Sequence, residues 1–388
     1  MEDLLENRRF TNIGNSFGFV CRSQIIEKQC GIQQLGSLEK YEFAELLKIL
    51  NGTEKFLASK FFCQLPANVG SFRVLRQLQE LRILTATEYI FSKEHSDQLQ
   101  VDLIIFLESE FELLANVFLS AAYDVDSAMK LTLILTTALG NLYSGLVGNP
   151  KICSLEYVEF LRKTLPDEAL NVCVSMHLGT LLDLHRSENV GEAFASFSAW
   201  INEGVDELTF VKHLCDKLFV GHHEAALQYL FKQSNTDNFN QWKFYLILVQ
   251  SIASAANPET TTYIKKYLKN RLLQTASMAS MQSLLHLLLT ARAASASTMN
   301  VQMNLDNYAK WYKQNIGEMT YILGPEKFQA VLRLLEESLP YEKELQYLEI
   351  HVSIAISPGG RLVQAYKTKC RAHAAQLKSA AKRKASTD

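Results

Sequence analysis

The positions of its seven prolines constrain the fold of this 388-residue chain more than any other sequence feature. Pro66, Pro150, Pro166, Pro258, Pro325, Pro340 and Pro358 each lie beside the end or the start of an apolar run with helical spacing. Inside a helix, proline removes a backbone donor and clashes with the preceding turn, at a cost of about 3 kcal/mol. None of the seven has to bear that cost here. In "AANPETTTYIKKYL" Asn257 stands at the N-cap, Pro258 at the first helical position and Glu259 in the first turn. "ILGPEKFQAVLRLLEESLP" repeats the arrangement, with Phe328, Val331, Leu332, Leu335 and Leu339 at helical spacing before Pro340. Glycine (17) and proline (7) together make up about 6% of the chain, against about 12% on average, too few for the turns of a sheet-rich fold.

Between these marks the chain reads as about fourteen to sixteen helices joined by short polar turns. "SLEKYEFAELLKIL" puts Phe43, Leu46, Leu47 and Leu50 on one face. An apolar stripe runs through Ile104, Leu107, Phe111, Leu114 and Phe118, and Gly221 breaks the helical run that surrounds it. Serial helices over this length predict an all-α fold, an irregular HEAT-like α-solenoid or helical-repeat array, with an irregular all-α globule as the alternative. No tetratricopeptide or ankyrin signature is present, and no motif carries a family resemblance.

One segment departs from the helical period. In "LEIHVSIAIS" (348–357) Leu348, Ile350, Val352, Ile354 and Ile356 alternate with smaller or polar residues, which predicts one short β-strand. Its partner would be "SFGFVCRS" (16–23) or another protein; an extended segment in a helical groove or a short helix is the competing reading. Ser357-Pro358-Gly359-Gly360 is the strongest break. It separates a helical body over 1–357, with two lobes dividing near 150–166, from a basic amphipathic helix and tail over 358–388. In that helix Leu362, Val363, Tyr366, Cys370, His373, Leu377 and Ala381 fall along one stripe, of which Leu362, Tyr366, Cys370 and Leu377 are expected to dock, leaving Lys382, Arg383 and Lys384 to protrude. Residues 361–388 hold eight lysines or arginines and the single acid Asp388, a net +7, so the rest of the chain carries −9.

The tail offers two functional features. Lys367, Lys369 and Arg371, a ten-residue spacer, and Lys382, Arg383 and Lys384 approximate a two-cluster nuclear import signal, to be read by an import receptor. "RKAS" makes Ser386 a candidate phosphorylation site, where added negative charge would weaken the basic cluster. Elsewhere, "TYIKKYLKNRLL" supplies Lys265, Lys266, Lys269 and Arg271 among tyrosines, and "YAKWYKQ" (308–314) mixes Lys310 and Lys313 with Tyr308, Trp311 and Tyr312. Bases beside rings are what a single-stranded nucleic acid needs, which nominates Lys265, Lys266, Lys269 and Arg271 as contacts.

No other chemistry is assembled. His213 and Cys215 diverge on a helix, as do His222 and His223, and neither pairing has zinc-ligand spacing. Phosphate-loop and nucleophile-elbow motifs are absent, so no catalytic, cofactor or metal residue is nominated and none of these groups is expected. Seven scattered cysteines without a C-x-x-C point to a reducing compartment. The start "MEDLLENRRF" lacks a signal-peptide core, and the uncharged runs 131–150 and 272–291 are too polar to span a membrane. These features predict a non-catalytic helical scaffold or adaptor subunit of a nuclear multiprotein complex, in genome maintenance or RNA processing, with other protein subunits as partners. A direct nucleic-acid-binding protein and a cytoplasmic transport or trafficking adaptor are the alternatives, the former with nucleic acid as partner.

Overall fold

The structure, a computed structural model, describes residues 51–64, 69–147, 155–205, 209–236, 238–298 and 300–385. It is all-helical, with eighteen α-helices and no strand among the described residues, and the helices pack on their neighbours in the manner of a helical repeat. The chain separates into two compact units. One comprises the chain up to Leu142 together with Glu156–Met176, the other Tyr143–Leu155 together with His177 onward.

The first unit holds α1 (Gly52–Gln64), α2 (Val69–Glu80), α3 (Ala86–Ser92), α4 (Gln98–Glu108), α5 (Phe111–Tyr123), most of α6 (Val125–Val147), α7 (Glu156–Thr164) and the start of α8 (Asp167–Asp183). Thr85 opens α3 with a reciprocal capping box to Glu88, the arrangement that satisfies two otherwise orphaned amides. Phe72 meets Phe106 and Tyr89 edge-on at 5.0 and 6.1 Å in the core. The apolar stripe through Ile104 and Phe118 is carried by two helices, broken at Ser109 and Glu110. At that break Glu110, 5% exposed, pairs with Arg76 at 3.1 Å. A buried carboxylate needs such a partner. Interruptions of this kind, and helices as short as α3, raise the helix count above the expected range.

The second unit continues with α9 (Val190–Val205), α10 (Phe210–Leu218), α11 (His223–Ser234), α12 (Trp242–Ser254), α13 (Pro258–Met278), α14 (Met281–Ser295), α15 (Val301–Tyr312), α16 (Pro325–Glu337), α17 (Leu345–Ser353) and α18 (Arg361–Ala385). A π-helical turn, Lys313–Gly317, prolongs α15. The local signals hold: Asn257 accepts from the Thr260 amide at 2.7 Å with Pro258 in the first turn, and Gly324 precedes Pro325 at the start of α16. Gly221 takes φ +81°, a left-handed conformation that suits glycine, between α10 and α11. Helices α12 and α14 are buried on nearly every side and pack against each other, with α9 against both. The scarcity of charge in 281–291 is therefore that of an interior helix. Among the described residues no helix is long and apolar enough to cross a membrane.

The strand expected over 348–357 is not formed. Leu345–Ser353 is α17, which buries Tyr347, Leu348 and His351, and the chain turns extended only from Ile354. Positions 347, 348 and 351 follow the helical period, while Ile350, Val352 and Ile354 are half-buried, so the β-branched alternation is a by-product of composition. Strand propensity is weak against tertiary packing, here the packing of α17 on α18. The extended stretch is pinned to the π turn, where the Ser357 amide donates to the Gly317 carbonyl at 2.8 Å. A Cβ at Gly317 would lie 2.9 Å from the Ala355 carbonyl oxygen, so only glycine admits this approach. The proposed partner segment 16–23, the helix read from "SLEKYEFAELLKIL" up to Leu50, and Ser386 lie outside the described residues.

Helix α18 docks through Val363, Tyr366, Cys370 and Ala374; of the four residues expected to dock, Tyr366 and Cys370 do, whereas Leu362 is 47% exposed and Leu377 only half-buried. Lys367 lies on the docked side. Its ammonium, 5% exposed, donates to the carbonyls of His351, Val352 and Ile354, the acceptors left open where α17 ends. Burial pushes its pKa down to about 8. Lys367→Met would leave these carbonyls without a donor, and we expect a loss of about 1–3 kcal/mol in urea denaturation. A change below a few tenths would show the carbonyls to be satisfied otherwise.

Candidate functional site

The two patches that mix bases with rings, 45 residues apart in their first lysines, come together in space. Lys265 and Lys269 from α13 and Lys310 and Trp311 from α15 line one groove of about 530 Å³. Each helix places them for a simple reason. On α13, Ile264, Leu268 and Leu272 form the buried stripe, so residues one position on from the first two stand at its edge. On α15, Tyr308, Trp311 and Tyr312 are buried, and Lys310 stands beside them. Ile264 and Leu268 form the apolar floor, and Ala294 and Ser295 at the end of α14 are small enough to leave the space open. Gln314 and Asn315 of the π turn complete the wall. Such turns inside helices occur frequently at functional sites.

The groove is cationic on two walls. Lys265 and Lys269 are four residues apart on one helix, where like charges repel by roughly 0.2–0.5 kcal/mol. No carboxylate is among the described residues that line the groove, and neither of the two lysines, nor Lys310, makes an ion pair among the described residues. Trp311 is 8% exposed, and its indole Nε1 is buried without a hydrogen-bond partner among the described residues. The ring leans on Tyr308, 5.5 Å away and nearly parallel at 29°.

The other rings of the two patches face inward. Tyr267 stacks on Phe231 at 3.6 Å and 5°, Tyr263 lies near the same ring at 6.2 Å and 9°, and Tyr312 lies against His351 at 4.3 Å. Tyr267 and Tyr312 are committed to these ring contacts, while Tyr263 is half-buried. Arg271 also turns inward: it donates to Asn235 and, at 2.8 Å, to His286 Nδ1. Lys266 is exposed but does not line the groove. Of the four nucleic-acid candidates, the structure thus brings Lys265 and Lys269 together.

The import-signal residues are dispersed. Lys367 is turned inward as described, Lys369 is paired with Glu336, and Arg371, Lys382 and Arg383 are exposed on α18. Lys384 belongs to the last turn of that helix. At a helical rise of 1.5 Å, the ten-residue spacer between the clusters covers about 15 Å. His213, Cys215, His222, His223 and Glu224 surround the junction of α10 and α11; among the described residues no three His, Cys, Asp or Glu side chains are placed to hold a metal ion.

One assembly went unnoticed in the sequence. Arg292, fully buried on α14, pairs through both terminal nitrogens with Glu342, which follows α16, and its guanidinium lies 4.0 Å from the Tyr347 ring, 4.9 Å from Phe194 and 5.6 Å from Tyr308. Burial pulls its pKa down, but the Glu342 carboxylate outweighs that and leaves it above the usual arginine value. Trp311 rests on Tyr308 and Tyr308 on this pair, so the groove wall is anchored to a fully buried charge. A signal for it existed: Arg292 is the single formally charged residue of "MQSLLHLLLTARAAS".

Compared with known proteins, residues 22–380 match the family model of the Fanconi anaemia group A protein N terminus, and the chain belongs to that family. No curated protein and no solved structure is significantly similar to it. The family is that of a non-enzymatic component of a multiprotein complex acting in the nucleus in genome maintenance.

Proposed function

From that membership we propose that the chain is a non-catalytic scaffold subunit, which uses its helical surfaces to hold other subunits of a nuclear genome-maintenance assembly. The family match over residues 22–380 carries this reading. Two features of the structure support it. Val125, Met129 and Leu133 lie four residues apart on α6 and are 89%, 86% and 69% exposed, an apolar row of the kind that protein partners cover. The groove between α13 and α15 adds a second recognisable surface. The inward-facing rings give no support to a direct nucleic-acid role, and the family's nuclear setting favours the scaffold over a cytoplasmic adaptor.

Nuclear entry is assigned to Lys382, Arg383 and Lys384, with Lys369 and Arg371 as the upstream cluster; Lys367, held by carbonyls, does not take part. Phosphate on Ser386 would oppose the cluster. The experiment is affinity purification and imaging of the tagged chain, intact and carrying Lys382→Ala, Arg383→Ala and Lys384→Ala. Nuclear genome-maintenance subunits should co-purify with the intact chain, and the variant should lose most of its nuclear signal. Recovery of no such subunit would overturn the scaffold reading. An unchanged distribution of the variant would overturn the import assignment alone.

A further inference from the structure

We propose that the groove between α13 and α15 is a docking site for an acidic amphipathic peptide segment of a partner protein, whose carboxylates meet Lys265, Lys269 and Lys310 while an apolar side chain enters between Trp311, Ile264 and Leu268. This rests on the scaffold reading and specifies the kind of partner that this surface takes.

Charge complementarity selects the occupant. Three ammonium groups border the groove from two helices, no carboxylate among the described lining residues neutralises them, and the two on α13 repel each other across one helical turn. A segment carrying Asp or Glu on its flanks relieves that repulsion and forms ion pairs at the rim, where such pairs steer encounter and fix register. The floor selects against a purely ionic ligand. Ile264, Leu268 and Trp311 are apolar, and a volume of about 530 Å³ admits a large aliphatic or aromatic anchor of the kind that dominates helix-in-groove recognition. Trp311 contributes one further feature. Its Nε1–H, buried and without a partner among the described residues, is a donor that a carbonyl or carboxylate of the incoming segment would satisfy. A nucleic acid would share the cationic rim but needs rings with open faces. The rings here are committed to Phe231, Tyr308 and His351.

The test is selection of a displayed random 16-residue peptide library on the full chain and on the variant carrying Lys265→Glu, Lys269→Glu and Lys310→Glu. A control variant carries Lys232→Glu and Lys313→Glu, exposed positions outside the groove. The expected result is enrichment of peptides with two or more acidic residues around an apolar one. Binding of the best peptide, followed by fluorescence anisotropy, should fall at least tenfold for the triple variant, change less than twofold for the control and weaken with salt. Equal melting temperatures of the three proteins show that loss of binding is not loss of fold. Enrichment without acidic bias, or binding indifferent to the three lysines, would overturn the proposal. So would tighter, salt-dependent binding of a single-stranded 20-mer oligonucleotide that the triple variant abolishes, which would assign the groove to nucleic acid. The selection uses the isolated chain, so its failure leaves the scaffold reading to be judged by co-purification of the complex.

Discussion

Arg292→Met is expected to lower the stability of the second unit by about 3–5 kcal/mol, because it leaves the Glu342 carboxylate buried and uncompensated. Total stabilities are of order 5–15 kcal/mol, so the variant should melt about 10 °C or more below the parent or fail to accumulate folded. The expectation follows from where the pair sits. Glu342 is 3% exposed; its Oε1 also accepts from the Glu344 amide at 3.0 Å, and the guanidinium is flanked by rings of α9, α15 and α17. Removing the cation therefore disturbs four helices at once. Arg292→Lys should not rescue, because an ammonium cannot form the planar fork or lie flat against Tyr347. Arg292→Met combined with Glu342→Met should recover most of the loss, since replacement of both charges by apolar volume is often neutral. Thermal and urea melts of the parent and the three variants decide the matter. A single variant within about 1 kcal/mol of the parent would show that the pair is not what holds α14 in place.

What was readable in the chain divides by the range of the interactions that decide it. Helix boundaries were readable wherever a local device sets them, as at Asn257-Pro258, Gly324-Pro325 and Gly221, because caps and φ preferences act within a few residues. Segment 348–357 was misread for the converse reason. Its period-two pattern is local, but whether Tyr347, Leu348 and His351 are buried together is settled by α18, which begins at Arg361. The groove was half-readable. Bases and rings were visible in both patches, yet only the packing of α13, α14 and α15 decides that Lys265 and Lys310 share a space while Tyr267 does not. Lys367 shows the limit most plainly. As a letter it belongs to a basic cluster; in the fold it closes the end of α17.

Mild acid is expected to weaken the second unit through two histidines that are buried neutral, His286 and His351. Burial lowers both pKa values well below the ordinary histidine value, and nearby cations, Arg271 for the first, Arg292 and then Lys367 for the second, lower them further. The hydrogen bonds agree with this. Arg271 can only donate, so His286 Nδ1 accepts from it at 2.8 Å; the ring proton then sits on Nε2 and is donated to the Tyr245 hydroxyl at 3.1 Å. A second proton would have to enter at Nδ1, against the guanidinium. A group with a depressed folded pKa binds fewer protons folded than unfolded, so its stabilisation is complete above the unfolded value near 6.5 and is lost as pH falls below it. The slope approaches about 1.4 kcal/mol per pH unit for each histidine, or close to 3 for the two together. Asp102, Glu110 and Glu344, whose pKa values burial raises, act with the opposite sign. The histidine share is therefore read as a difference between the parent and the variant carrying His286→Gln and His351→Gln, melted from pH 7.5 to 5. The parent should lose stability more steeply than the variant below pH 6.5, and parallel curves would mean that neither ring is held neutral by the fold.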